Sequence, residues 1–389
     1  MADRPLNLAP ASVADYRELA RKRLPRQLFD YVDGGAYAEA TMRANIEDLR
    51  RIYLRQRILR DVSSIDLGVD LLGERLSLPL VLAPVGLLGM FARRGEVLAA
   101  RAAERAGVRF CESTVSICSI EEVKRETSAP FWFQLYMMRD RGYAAELIGR
   151  AREAGCSALV LTVDLAVVGA RYRDTRNGML GEIPISKKVV RAWDILSHPR
   201  WVFDVAVKGK PLTFGNLEAA VPGARSPAEF KGWVDSQFDA SVTWSDLDWI
   251  RQHWPGKLVL KGILDSEDAK EAVEIGADAI VVSNHGGRQL DDVRSSARAL
   301  PRVKDAVGDR VELLVDGGIQ SGLDVVKMLA LGADACMIGR AWAYAVAGGG
   351  EAGVAHAIEI IREEMKVAMA LTGCSSLAEI GPAMIDREG

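Results

Sequence analysis

Eight short apolar runs, separated by stretches of helical composition, are the feature that most restricts how this 389-residue chain can fold. Most of the runs are continuously apolar rather than alternating, which is typical of strands buried on both faces of a parallel sheet. The predicted strands are residues 78–83, 109–113, 131–136, 158–164, 257–261, 279–283, 311–316 and 335–338. Eight parallel strands that alternate with helices close on themselves, so the sequence predicts an α/β fold of the (β/α)8 TIM-barrel class.

The chain is expected to form a single domain in three parts. These are an N-terminal extension at 1–77, a barrel at 78–345 and a C-terminal helical segment at 346–389. In the extension, Ser12 and Asp15 favour the start of a helix that runs to about Leu24. An insertion at 169–255 has no clear strand pattern and leaves from the C-terminal end of the fourth predicted strand. Barrels place active sites on that side, and long loops in compact domains are usually functional or mobile.

Charge and cysteine content exclude several classes of protein. A formal net charge of -3 argues against nucleic acid as the main partner. The five cysteines include no CxxC pair and are odd in number, which indicates a reducing, cytoplasmic compartment without a disulfide framework or zinc site. The N-terminus lacks the apolar core of a signal peptide, and no apolar run reaches the roughly 18 residues that span a bilayer.

The insertion contains a segment, 185–211, in which cations and aromatic residues are interleaved. It has six basic residues, Lys187, Lys188, Arg191, Arg200, Lys208 and Lys210, against the acidic Asp194 and Asp204. Six minus two leaves a local charge of +4. Cations with nearby indoles suit the headgroup region of a membrane, which predicts peripheral contact with a bilayer. The alternative is a solvated lid that packs its aromatic side chains onto the barrel.

The most informative polar residues follow the sixth predicted strand. His285 lies in a glycine-rich loop with Arg288 three residues later. A histidine can move a proton near neutral pH, and an arginine can hold a carboxylate in a two-pronged grip. Asp164, at the end of the fourth predicted strand, could orient the imidazole and stabilise its cation. This combination predicts acid–base chemistry on a small bound acid, although a lone histidine is more often structural.

Other strand ends predict a cofactor site at the same mouth. Asp316, Gly317 and Gly318 after the seventh strand, with Gly339 and Arg340 after the eighth, have the layout of a barrel phosphate site. Polar side chains at four further strand ends could bind a flat heterocycle such as a flavin: Ser113, Gln134, Thr162 and Lys261. An ammonium near the N1 side of a flavin would stabilise the negative charge that develops on reduction.

The loop Ser283-Asn284-His285-Gly286-Gly287-Arg288-Gln289-Leu290-Asp291 resembles the signature of the FMN-dependent α-hydroxy-acid dehydrogenases and oxidases. The resemblance extends from Leu24 to Cys374, over nearly the whole chain. Within the family, the segments at 31–37, 83–87, 93–96 and 169–174 are most similar to the branch that oxidises L-lactate in bacterial respiration.

That resemblance implies a role for each matching residue. His285 would be the base and Asp164 its partner, while Tyr136 would contact the reacting hydroxyl. Arg171 and Arg288 would bind the substrate carboxylate with help from Tyr31. The implied FMN-binding residues are Ala83, Ser113, Gln134, Thr162, Lys261, Asp316, Gly317, Gly318, Gly339 and Arg340. Gln320 departs from the family pattern, because relatives usually have arginine there, and the loss of a cation could weaken retention of FMN.

The implied activity is oxidation of L-lactate to pyruvate, with electrons passed to a quinone on the cytoplasmic side of the inner membrane. Relatives are commonly tetramers, so a homo-oligomer is expected. Oxygen as acceptor and glycolate, 2-hydroxybutyrate or mandelate as substrate stay open, as does removal of the hydroxyl proton or the α-proton. Val115, two residues beyond Ser113, is a candidate wall for a methyl-sized substituent. A flavin-dependent isomerase and a non-catalytic ligand sensor are the alternatives from other classes. The isomerase would leave Arg171 and Arg288 without an obvious role.

Overall fold

A computed structural model describes residues 8–179, 184–223 and 227–386, and its centre is a closed barrel of eight parallel strands. The strands are β1 Leu80–Leu82, β2 Arg109–Ser113, β3 Trp132–Tyr136, β4 Ala158–Thr162, β5 Lys257–Ile263, β6 Ala279–Val282, β7 Glu312–Val315 and β8 Ala335–Ile338. Each strand pairs with its neighbours in chain order, and β8 closes the barrel against β1. All eight predicted strands and the predicted fold class are confirmed, and no strand end differs from its predicted position by more than two residues.

The helices that follow the strands cover the outside of the barrel. They are Gly95–Ala106, Ile120–Glu126, Arg141–Glu153, Asp246–His253, Ser266–Glu274, Ser296–Val307, Gly322–Ala330 and Arg340–Thr372. The last of these has a non-helical residue inside it, Gly350, with φ of 62°. Buried side chains of these helices and of the outward faces of the strands form the main core.

The barrel interior is a separate apolar core, and a short hairpin closes its lower end. Val81, Trp132, Val259 and Met337 are among the side chains that fill the interior, and none of them is exposed. The hairpin, formed by strands Val69–Leu71 and Glu74–Leu76 and the turn between them, contributes Leu71, Leu72 and Leu76 to the same cluster. Because the hairpin fills this end of the barrel, a ligand-binding site has room only at the opposite end, where the strands terminate.

The described residues of the N-terminal extension, 8–77, form three helices, Val13–Arg23, Arg26–Asp33 and Ala40–Arg50. The first begins where the sequence predicts, with the Ser12 side chain accepting a hydrogen bond from the backbone N of Asp15. Farther along, Tyr53–Leu54 pairs with Ile385–Asp386 near the other end of the chain. The extension is therefore paired with the C-terminal segment of the chain.

The described part of the 169–255 insertion is largely helical, which its lack of strand pattern alone did not predict. It contains Tyr172–Arg176, Ile185–Leu196, Pro199–Trp201, Pro227–Gln237 and Asp246–His253, with a π-helical turn at Val202–Val207. Residues 180–183 and 224–226 of the predicted insertion, and the ends 1–7 and 387–389, lie outside the described residues. The insertion begins just after β4, on the side of the barrel where the strands end.

Candidate active site

A cavity of about 450 Å³ lies at the ends of the barrel strands and under the N-terminal extension. Its described lining brings together Tyr31, Ala83, Tyr136, Thr162, Arg171, Lys261, His285, Arg288, Asp316, Gly317, Gly318, Gly339 and Arg340. The same lining includes six cations, Arg17, Arg171, Arg173, Lys261, Arg288 and Arg340, against the carboxylates of Asp33 and Asp316. This positive cavity is suited to anionic groups.

His285 and Asp164 form the expected pair. Asp164 Oδ1 lies 2.9 Å from His285 Nδ1, which leaves Nε2 as the nitrogen able to accept a proton. Burial lowers the pKa of His285, although the attraction of Asp164 partly opposes it, so the imidazole is neutral near pH 7. Burial alone would raise the pKa of Asp164, but attraction to His285 and the hydrogen bond between them hold it below its ordinary value. The pair is therefore a neutral base beside a carboxylate that can stabilise its cation.

Two guanidinium groups lie near this base, and among the described residues neither has a carboxylate oxygen closer than 4.0 Å. Burial and the nearby Arg288 lower the pKa of Arg171 to about 10. The closest carboxylate oxygen to Arg171 belongs to Asp174, at 4.0 Å. Arg288 donates to the backbone oxygens of Tyr31 and Gly34, at 2.6 and 2.9 Å, and its Cζ lies 5.0 Å from the Tyr31 ring centroid. A bound carboxylate between the two arginines would relieve their mutual repulsion.

Lys261 is fixed by its neighbours at the end of β5. Its Nζ lies 2.8 Å from Asp316 Oδ2 and donates to Ser283 Oγ at 2.9 Å. Burial would lower the pKa of Lys261, but attraction to Asp316 and Asp164 outweighs it and raises the pKa, so the ammonium stays charged. In the adjacent strands, Ser113 Oγ donates to Gln134 Oε1 at 3.1 Å. Ser113 and Gln134 are buried below the cavity and are not among its lining residues.

The predicted phosphate loop has the backbone geometry that such a site needs. Gly317 and Gly318 have φ of 100° and 83°, and a Cβ on Gly318 would lie 2.4 Å from the backbone oxygen of Asn45. Only glycine fits there without displacing the backbone. Arg340 was expected to direct its guanidinium group at a phosphate. Instead, its nitrogens donate to the backbone oxygens of Val32, Gly34 and Gly286. Gln320 and Arg17 also line this cavity.

Some buried polar atoms in this region have no partner among the described residues, and their positions suit a flavin nucleotide. Gln134 Nε2 and Asp316 Oδ1 are buried and have no hydrogen-bond partner among the described residues. A buried unpaired donor or acceptor is costly unless a ligand satisfies it. Together with the glycine loop and the Lys261 ammonium, these atoms could hold the ring, ribityl chain and phosphate of such a cofactor.

Two residues that shape the site, Asn45 and Gly262, were missed by reasoning from the sequence. Asn45, on helix Ala40–Arg50, pairs through its side chain with Asn284, the residue before His285. Gly262 has φ of 116°, and a Cβ there would lie 2.7 Å from Asp164 Cβ. A signal for Asn45 exists in the sequence, since Thr41, Asn45 and Asp48 share the helical spacing of a buried face.

The fold and the site together define a class of protein, a TIM-barrel enzyme whose positive cavity suits an anionic cofactor and contains a histidine–aspartate pair near two arginines. Comparison with known proteins narrows the class. The sequence profile described as FMN-dependent dehydrogenase matches residues 20–387. The chain belongs to this family. The predicted family and its FMN cofactor are thus confirmed.

Curated relatives and a solved structure agree with that placement. The chain is 56% identical over 375 residues to an L-lactate dehydrogenase of Caulobacter vibrioides, covering 96% of this chain and 97% of that protein. It is 52% identical to an L-lactate dehydrogenase of Alcaligenes faecalis, covering 97% and 99% of the two chains. The crystal structure of a monotopic membrane protein, (S)-mandelate dehydrogenase, superposes with a TM-score of 0.91 at 36% identity, covering 97% of this chain and 100% of that one.

Proposed function

We propose that this FMN-dependent enzyme oxidises L-lactate to pyruvate and passes the electrons to a membrane quinone. One observation carries the proposal: the His285–Asp164 pair and the Arg171–Arg288 pair meet at the same cavity as the glycine loop that suits a phosphate. The relatives that are 52% and 56% identical over nearly their whole length, both named L-lactate dehydrogenase, favour lactate over other 2-hydroxy acids.

In this reaction, some side chains of the site would bind the substrate and others would transfer a proton. Arg171 and Arg288 would hold the carboxylate, which orients the carbon that bears the hydroxyl toward the base. His285 would take a proton from the substrate, and Asp164 would stabilise the imidazolium that results. Tyr136, whose pKa is raised by burial, stays protonated and can donate to the substrate oxygen. FMN, when bound, supplies the acceptor for the two electrons that the substrate loses.

Val115 supports a small substrate. It lines the cavity beside Tyr136 and packs against Gly86, where a Cβ would lie only 2.6 Å from Val115 Cγ2. A branched aliphatic side chain at this wall favours a methyl substituent over an aromatic ring. The name of the structural neighbour makes (S)-mandelate the most useful competing substrate.

The activity is tested by the colour of the purified holoenzyme under anaerobic conditions. L-lactate is expected to bleach the bound flavin faster than glycolate, 2-hydroxybutyrate, (S)-mandelate or D-lactate at equal concentration. If (S)-mandelate bleaches the flavin faster than L-lactate does, mandelate is the preferred substrate. If none of these acids bleaches the flavin, the isomerase or the sensor is favoured. In the same preparation, a soluble quinone analogue should reoxidise the flavin faster than air does. The opposite order would make the protein an oxidase.

The segment 185–211 supports contact with a membrane surface. Helix Ile185–Leu196 places Val189, Trp193 and Leu196 at helical spacing, and Trp193 is 70% exposed. The segment is attached to the body by its other side, because Trp201 Nε1 donates to the backbone oxygen of Met90 and Asp204 pairs with Arg23 at 3.0 Å. Only part of the lid alternative holds, since Trp201 packs inward while Trp193 does not. None of the described helices is long and apolar enough to span a bilayer.

Making the exposed face polar should release the protein from membranes without harming the site. In Val189→Ser/Trp193→Ser/Leu196→Ser, sedimentation with vesicles that contain anionic lipid should fall sharply, while lactate-driven reduction of a soluble dye stays near the wild-type rate. Each of the cations contributes about 1 kcal/mol near an anionic surface, so high salt should also weaken binding of the wild type. Leu323→Ser/Leu371→Ser, which alters exposed apolar residues elsewhere, is the matched control. Equal binding by the triple variant and the wild type would argue against the membrane role.

A further inference from the structure

Helix Ala40–Arg50 belongs to the N-terminal extension, yet its buried face is polar where it meets the loop after β6. Thr41, Asn45 and Asp48 all lie on that face. Thr41 exchanges hydrogen bonds with the backbone of Val293, and Asp48 accepts one from Ser295 Oγ at 2.7 Å. Buried polar groups are costly unless they find partners, and these contacts satisfy Thr41 and Asp48 where the helix meets the loop.

Asn45 occupies the centre of this contact. Its Nδ2 donates to Asn284 Oδ1 at 2.8 Å, and its Oδ1 accepts from Asn284 Nδ2 at 2.8 Å and from the backbone N of Ser296 at 3.2 Å. Both asparagines are at least nine-tenths buried. Only side chains that donate and accept on adjacent atoms can form such a reciprocal pair.

Asn284 in turn shapes the turn that carries the base. Its Oδ1 accepts from the backbone N of Gly287 at 3.1 Å, and Ser283 Oγ accepts from the backbone N of His285 at 3.0 Å. His285 has φ of 57°, a left-handed conformation that is unfavourable for a residue with a Cβ. Such a conformation persists only when the surroundings determine it, and Asn45 is part of those surroundings.

Asn45 also touches the loop that would hold the cofactor. A Cβ on Gly318 would lie 2.4 Å from the Asn45 backbone oxygen, and one on Gly317 would lie 3.2 Å from Asn45 Nδ2. One residue outside the barrel is therefore in close contact with the loop after β7 and, through Asn284, with the loop after β6.

We propose that Asn45 is a positioning residue that holds His285 in its working orientation and couples this orientation to retention of FMN. The reaction it serves is the one proposed above, but the contact with the loop at 316–318 does not depend on which 2-hydroxy acid is the substrate. The arrangement also gives the N-terminal extension a role in the chemistry of the barrel.

The test compares Asn45→Ala, Asn284→Ala and the double variant as holoenzymes. We expect Asn45→Ala to lower kcat roughly 10²-fold, the loss that a displacement of about 1 Å can cause, with a KM for L-lactate close to the wild-type value. FMN should be lost faster on dilution of the holoenzyme. The double variant should be little worse than the more severe single variant, because both remove the same interaction.

Thr41→Ala is the matched control, since Thr41 lies on the same face and hydrogen-bonds to Val293 instead of to Asn284. It should keep both kcat and FMN retention near wild type. An equal loss in Thr41→Ala, additive effects of the two asparagine variants, or wild-type kcat and FMN retention in Asn45→Ala would each overturn the proposal.

If Asn45→Ala does not fold, Asn45→Asp serves instead, because an ionised carboxylate keeps the two accepting contacts but replaces the donation to Asn284 Oδ1 with repulsion between two oxygens. The same fall in kcat and the same faster loss of FMN are expected from it, and wild-type values of both would overturn the proposal. If no 2-hydroxy acid reduces the wild type, the proposed function fails, but the FMN-retention comparison still decides the role of Asn45.

Discussion

Replacing His285 with glutamine is expected to abolish almost all turnover while leaving FMN bound. Loss of a general base typically lowers the rate about 10²- to 10⁴-fold, and glutamine cannot take up a proton at Nε2. The substitution should leave the loop intact, since the backbone N of His285 donates to Ser283 Oγ whatever the side chain. Stopped-flow absorbance under anaerobic conditions measures the rate at which L-lactate reduces the flavin.

The pH profile separates loss of a base from simple distortion. Because the pKa of His285 lies below its ordinary value, the wild-type kcat/KM should fall only as the pH drops below the usual range for histidine, where the imidazole becomes charged. The residual activity of His285→Gln should lack this acidic limb. A variant that keeps the limb, or that reduces its flavin at a rate near wild type, would show that another group is the base.

Arg288→Lys is expected to have the second largest effect. A lysine cannot bind both oxygens of a carboxylate in one plane, and it would also lose the two backbone contacts that anchor Arg288 to Tyr31 and Gly34. Breaking a buried charged contact costs about 2 kcal/mol or more, which corresponds to a fall of roughly 30-fold or more in kcat/KM. The loss should appear as a higher KM and a lower kcat together, because a displaced carboxylate also misplaces the reacting carbon.

Arg294→Lys is the control for this experiment, because Arg294 lies on the same loop with an exposed side chain. Steady-state assays with a soluble dye should give near wild-type constants for it. Unchanged kcat and KM in Arg288→Lys would show that other residues bind the substrate carboxylate. Arg171 would then be the next residue to test.

The barrel was predictable because its strands are buried on both faces and therefore appear as continuous apolar runs. Val281 and Val282, for example, are fully buried on opposite sides of β6, in the inner and outer cores. The insertion carried no such signal. Its helices have mixed apolar and charged faces, as at Trp193 and Lys188, and their contacts with the body depend on tertiary packing.

Residue types at strand ends predicted the neighbourhood of the site better than they predicted individual contacts. The meeting of His285 with Asp164 follows from the geometry of parallel strands, whose ends lie at one mouth. By contrast, nothing in the sequence indicates that the Arg340 guanidinium is engaged by three backbone oxygens. Contacts between segments far apart in the chain, such as Asn45 with Asn284, also need the folded structure.

The N-terminal extension has a practical consequence for exchanging segments among relatives. Buried hydrogen bonds join the third helix of this extension to residues 284–296, through Asn45, Thr41 and Asp48. The two segments must therefore be compatible with each other in sequence. A crossover between residues 50 and 284 would take the helix from one parent protein and the loop from another. The hydrogen-bonded pairs would then be lost unless both parents have the same residues at these positions. Libraries recombined from this family should therefore transfer residues 40–50 and 283–296 together, even though more than 230 positions of sequence separate them.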